Sequence, residues 1–145
     1  SGAEAATAFG MMWIVITAGR AVGGFLVDRI GRFRTVLFST VVTAAGITIF
    51  LLDSVIHQPI LGLVVWGIGQ ALGFPMSVNA LSDDPKKSAA RINMIITVVY
   101  ISSIAVGPVL GTIGQSFGIY VAFAVPALLM VLSAVLSPAT KPEKI

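Results

Sequence analysis

Cysteine is absent from the chain, which excludes disulfide staples, thiolate metal sites and cysteine nucleophiles. Charge is nearly as scarce. Only 10% of the 145 residues are Asp, Glu, Lys or Arg, against about 25% in soluble domains. So little polar surface cannot cover the 57% of residues that are hydrophobic, and a mean hydropathy of +1.00 makes lipid the solvent. No acidic residue falls in the middle of an apolar run, and the single histidine, His57, lies between two runs near Asp53. No Ser/His pair, paired carboxylates or metal-ligand cluster stands within the apolar segments, so no catalytic residues and no metal or cofactor are expected. The net charge of +3 comes from short basic clusters between apolar runs, the pattern of membrane topology rather than of nucleic-acid binding.

What is present is a series of five apolar runs near the roughly 20 residues that cross a bilayer: Ala5–Val27, Thr35–Leu52, Pro59–Leu81, Ile92–Gly114 and Gly118–Ser137, here spans A to E. They predict an all-α polytopic bundle occupying residues 1–145. Arg29, Arg32 and Arg34 lie in the first connector, Lys86, Lys87 and Arg91 in the third, and Lys141 and Lys144 in the tail. The second and fourth connectors carry neither Lys nor Arg. Basic loops stay cytoplasmic, so span A enters from outside and the C-terminus is expected inside. The chain begins Ser1-Gly2-Ala3-Glu4, without an initiator Met or the basic start of a signal peptide, and reads as a piece of something longer.

At the end of span A the sequence is Gly24-Phe25-Leu26-Val27-Asp28-Arg29-Ile30-Gly31-Arg32-Phe33-Arg34, a G-x-x-x-D-R-x-G-R-x-R between two spans. Gly24 permits close helix contact, Gly31 a tight turn, and the arginines hold the loop at the cytoplasmic face. This resembles the signature loop of the major facilitator superfamily. The resemblance implies a twelve-helix secondary transporter built from two six-helix halves, in which the acidic residue matched by Asp28 latches the halves together in one conformational state. Gly24, Asp28, Arg29, Gly31, Arg32 and Arg34 are the expected latch motif. A five-span chain is then a partial half lacking one helix.

The signature occurs in both halves of the family. A polar tail ending at Ile145 and the lack of an arginine in span C favour the second half, and the run from Gly73-Phe74-Pro75 through Asp83-Asp84-Pro85 to Tyr100 and Gly107-Pro108 resembles uncharacterised bacterial sugar-permease-like members. That assigns helices eight to twelve and the bacterial inner membrane. Against it, Gly107-Pro108-Val109-Leu110-Gly111 in span D resembles a fifth-helix motif of drug–proton antiporters and would make the spans helices two to six. Proline there removes a backbone hydrogen bond and favours a kink, and the flanking glycines admit a neighbouring helix; both a flexing hinge and a static bend fit this pattern.

Spans A, C and D carry polar residues in helical register, whereas B and E are apolar apart from small hydroxyls. In the family, helices nine and twelve are peripheral, so B and E are expected to be supports. On span A, Trp13, Thr17, Arg20 and Gly24 share a face. A central arginine costs roughly 2.5–3.5 kcal/mol on insertion scales, so Arg20 either faces a polar pathway or snorkels to the cytoplasmic mouth. On span C, Trp66 and Gln70 suit a hydroxylated or ring-shaped solute, or act as an interfacial anchor and interhelical glue. On span D, Asn93, Thr97 and Tyr100 fall near one face, while Ser102 and Ser103 are expected to bond to their own helix. The resemblance implies as partners the lipid bilayer, an N-terminal half and a small solute with a coupling proton; any proton-carrying residue belongs to the missing part. The competing class is a non-transporting membrane scaffold or receptor subunit, in which the small-residue motifs only pack helices.

Overall fold

A computed structural model describes residues 2–52 and 59–141; Asp53, His57 and Lys144 lie outside the described residues. Five α-helices follow in order: α1 (Gly2–Ile30), α2 (Arg32–Leu51), α3 (Pro59–Leu81), α4 (Ser88–Phe117) and α5 (Ile119–Leu136), with a short 3₁₀ turn at Ser137–Thr140. Each is long and apolar enough to cross a membrane, and the protein is an all-α transmembrane bundle.

The helices overrun the apolar spans. The expected connector of residues 28–34 shrinks to Gly31, because Asp28, Arg29, Arg32 and Arg34 are all helical. Likewise α4 runs from Ser88 to Phe117, where the apolar run predicts Ile92 to Gly114. Charge marks where a helix leaves the apolar layer, not where its backbone turns, and Arg and Lys are good helix formers. What turns the backbone is a single glycine. Gly31 sits at φ 79°, ψ 161° and Gly118 at φ 93°, ψ 157°, a region essentially closed to residues with a Cβ. Hydrogen bonding runs close on either side of each break, from Gly31 N to Val27 O at 2.8 Å and from Gly118 N to Gly114 O at 3.0 Å.

The closest helix pair is α2 against α3, with α1 packed on α3, α5 on α2, and α4 mainly on α5. Lipid gives apolar side chains little reason to leave it, so close approach depends on small residues. On α2 the buried positions are Thr35, Val36, Ser39, Thr40, Thr43, Gly46 and Ile47, a stripe at helical spacing made chiefly of small residues. A Cβ added to Gly46 would run into the backbone of Trp66, one on Gly62 would come within 2.6 Å of Phe50 N, and one on Gly69 would strike the backbone of Thr43. The Ser39 hydroxyl donates across this seam to the carbonyl of Gly69. Toward the Gly31 end, Val36, Ala71, Leu72 and Met76 form a buried cluster joined by Leu26 and Val27.

Among these five helices span B packs most deeply. Its helix α2 is the most buried, at 39% of its most apolar window, whereas the window in α4 is 0% buried. The hydroxyls of α2 are what the apolar count conceals: they are small and face α3.

Candidate functional site

Two polar features stand out. The first is centred on Arg32, the first residue of α2. Its Nε donates to Thr140 O at 2.7 Å, Nη1 to Asn79 Oδ1 at 3.3 Å and to Asp83 Oδ1 at 2.7 Å, and Nη2 to Asp83 Oδ2 at 2.5 Å. One guanidinium thus binds the end of α3, the loop after it and the C-terminal 3₁₀ turn, using the fork geometry that a lysine lacks. The Arg32 side chain is only 8% exposed and that of Asp83 35%. Beside it, Lys141 Nζ lies 4.8 Å above the Phe33 ring, and Asp84 Oδ1 accepts from the backbone N–H of Lys86 at 3.0 Å, bracing the loop.

The other charges of the motif are less engaged. Arg29 stacks on Phe25 of its own helix at 4.2 Å. Asp28 and Arg34 are exposed and form no ion pair among the described residues. Gly24, read from sequence as a contact point, has open space where a Cβ would stand, whereas a Cβ on its neighbour Gly23 would abut Leu72 and one on Gly19 would come within 2.6 Å of Ala71. The motif glycine and the packing glycines are thus on different faces of α1.

Hydrogen bonds from Arg32, then its charge and that of Arg91, hold the Asp83 carboxyl below the usual carboxylate range against a smaller opposing effect of desolvation. A carboxyl with a lowered folded pKa contributes stability that is fully present above its unfolded value of about 3.9 and is lost as pH falls through the lower folded value. Thermal unfolding in detergent should therefore show no loss from this pair at neutral pH and a decline below about pH 4. Asp83→Asn should remove that part of the acid-side decline; an unchanged profile would show that the pair contributes nothing to pH-dependent stability.

The second feature is a cleft of about 410 Å³ bounded by α1, α2, α3 and α5. From α1 it receives Arg20; from α3, Trp66, Gln70, Phe74 and Ser77; from α2, Ser39, Thr40 and Thr43; and from α5, Pro126, Met130 and Ser133. Arg20 stands ten residues before the end of α1, about 15 Å along the axis. Among the described residues it has no ion-pair or hydrogen-bond partner. The Trp66 ring is held edge-on by Phe123 at 6.0 Å.

Of the residues picked out in the sequence, the cleft brings together Arg20, Trp66 and Gln70. Trp13 and Thr17 do not border it: Thr17 Oγ1 donates to Trp13 O at 2.9 Å, and the exposed Trp13 ring meets Phe9 at 6.1 Å. Asn93, Thr97 and Tyr100 are exposed on α4 and away from the cleft. Thr97 Oγ1 bonds to Asn93 O at 2.8 Å and Ser103 Oγ to Val99 O at 2.8 Å, within their own helix. A Cβ added at Gly107 or Gly111 would meet no other part of the bundle within 4 Å, and α4 stays helical through Pro108. Sequence reasoning missed Ser39, Thr43 and Ser133 as cleft residues, and Asp83 and Thr140 as partners of Arg32. The signal for Asp83 was available, since acidic residues are few and two of the six stand together at Asp83-Asp84.

The family model of the Major Facilitator Superfamily matches residues 1–144. The chain is also 27% identical over 135 residues to an uncharacterized MFS-type transporter of Yersinia pestis, the match covering 92% of this chain and 35% of that protein. The chain therefore spans about a third of that relative's length. No solved structure matches it. A signature turn between two membrane helices, a five-helix apolar bundle and a family match over nearly its whole length agree: the chain belongs to the Major Facilitator Superfamily.

Proposed function

We propose that this chain is helices eight to twelve of a secondary transporter that carries a small solute across the membrane by alternating access. The observation that carries the proposal is the cleft. A solute-sized, mainly apolar space edged by the exposed Arg20 and Gln70 and lined by small hydroxyls, set among four helices, is costly in a bundle that only packs and is what a transport pathway requires. The Arg32 clamp gathers α2, α3 and the C-terminal turn at one end. There it supplies a rigid base against which an opposing half rocks.

On this reading the basic end is cytoplasmic, as the charge distribution favours, and the membrane is the bacterial inner membrane. The exposed residues of α4, including Asn93, Thr97 and Tyr100, face the pathway or the N-terminal half. Asp28 makes its latch contact across the same boundary, and Gly107, Pro108 and Gly111 provide the bend. Coupling to a proton would use a residue outside this chain. A second reading, helices two to six of a drug–proton antiporter, is favoured by Gly107-Pro108-x-x-Gly111. A cysteine introduced in the turn at Ser82–Ser88 and probed from each side in cells reports orientation for either reading.

The deciding experiment is uptake or efflux of a solute panel by the full-length protein in liposomes. Arg20→Gln and Gln70→Leu are each expected to lower the transport rate about tenfold or more. A protein that moves nothing, with no solute-dependent change in the protection of cysteines along α1, α3 and α4, would be a scaffold instead.

A further inference from the structure

The charge lining the cleft is of one sign. Several of its hydroxyls already donate to carbonyls: Ser39 to Gly69, Thr40 to Val36 at 3.1 Å and to Leu37 at 3.0 Å, and Ser77 to Gly73 at 2.9 Å. Still available to a guest are the five N–H bonds of Arg20, the amide of Gln70, the indole N–H of Trp66, the hydroxyls of Thr43 and Ser133, and the acceptor lone pairs of the hydroxyls that already donate. No carboxylate lines the space. The cleft thus offers both donors and acceptors but one formal charge, that of the exposed Arg20, about 15 Å from the end of its helix in a span where a lone charge is expensive. The remaining walls are apolar or aromatic: Ile47, Phe74, Pro126 and Met130 beside the Trp66 ring.

A neutral solute would leave the Arg20 charge unanswered, and a cation would be repelled by it. The partner that answers the charge is a planar oxyanion on a small apolar body. Its two oxygens meet the guanidinium fork in parallel hydrogen bonds, Gln70 adds a donor, and the body lies against Trp66 and Phe74. The volume of about 410 Å³ is within the range of small-molecule sites.

We propose that the cleft between α1, α2, α3 and α5 binds a small organic anion of the carboxylate class, with its charge on Arg20. The proposal rests on the cleft being a solute site and names the class of solute. The shared chemistry is a singly charged oxyanion, and a lipid headgroup offers it as well as a free carboxylate does.

The test is equilibrium binding of radiolabelled benzoate to the purified full-length protein in lipid-depleted neutral detergent, with benzamide as the uncharged probe of the same shape. Saturable benzoate binding is expected, with benzamide at least about tenfold weaker and Arg20→Gln weakening benzoate by a similar factor. Benzoate binding that phosphatidylglycerol displaces competitively, or Arg20-dependent binding of phosphatidylglycerol alone, supports the oxyanion site and identifies the lipid as its source. Benzamide binding as tightly as benzoate, or no Arg20-dependent binding of either anion, overturns the proposal. Where Arg20→Gln does not yield monodisperse protein, the benzoate–benzamide and phosphatidylglycerol contrasts on the unaltered protein decide. Binding without uptake of any solute sinks the transport reading and leaves this one standing. Uptake of some solute with no anion binding sinks this one alone.

Discussion

Gly46→Leu should leave little folded protein, while Gly111→Leu leaves the five-helix bundle intact. At Gly46 the obstacle is main chain: an added Cβ would lie 2.5 Å from the Cα of Trp66 and 2.8 Å from its Cβ. A side-chain obstacle can rotate away, but a helix backbone can yield only by moving the helix. That shift would open the α2–α3 seam along its length, including the approaches at Gly62 and Gly69. Overpacking a core costs about 1–3 kcal/mol where side chains can adjust, and more is expected here. Gly111 has open space around it. Size-exclusion profiles and thermal unfolding of this chain in detergent are the measurements. Equal stability of the two variants would show that the seam is not what holds the bundle together.

The second large effect is expected at Arg32. Arg32→Gln removes the fork that binds Asp83 and releases the carbonyl of Thr140 and the amide of Asn79. Among the described residues the loop between α3 and α4 then keeps its local bonds alone, those of Ser82 to Asn79 and Val78 and the turn around Asp84. Trypsin cleavage after Lys86 and Lys87, which lie in that loop, should speed up about tenfold or more, as expected for the loss of several charge-assisted hydrogen bonds from a local opening equilibrium. Arg32→Lys should fall near the glutamine variant, because a single ammonium cannot reach Thr140 and both oxygens of Asp83. Cleavage at the unaltered rate in both variants would mean that the loop is held by something else.

The contrast between these sites shows what the sequence makes legible. Membrane crossing is written in composition, because lipid forces each span to be apolar and to satisfy its own backbone. The turn at Gly31 was readable too, since glycine between charged residues is a local signal. The relative burial of the helices was not. Counting polar residues passed over α2, but what packs it against α3 is a buried face of small residues, and Thr35, Ser39, Thr43 and Gly46 are small before they are polar. Register on one helix also proved a weak guide to a site built by four. Trp13, Thr17 and Arg20 lie on one face of α1, yet the cleft takes only Arg20; α3 meets the earlier turns through Met12 and Val15 instead, which leaves Trp13 and Thr17 exposed. Ser133 of α5 is distant in sequence from every other polar residue of the cleft, and no local pattern connects them.

The single-glycine joints also constrain how the helices can travel. Consecutive Cα atoms stay 3.8 Å apart, so one residue between two helices acts as a pivot with no slack. At Gly31 the facing ends of α1 and α2 cannot slide past each other, and at Gly118 the same holds for α4 and α5. Rotation about the glycine's two torsions is left as the only freedom. Mechanically the chain is two pairs of hinged rods, each able to open or close like a compass, and any stroke in which one rod of a pair shifts lengthwise must carry its companion with it.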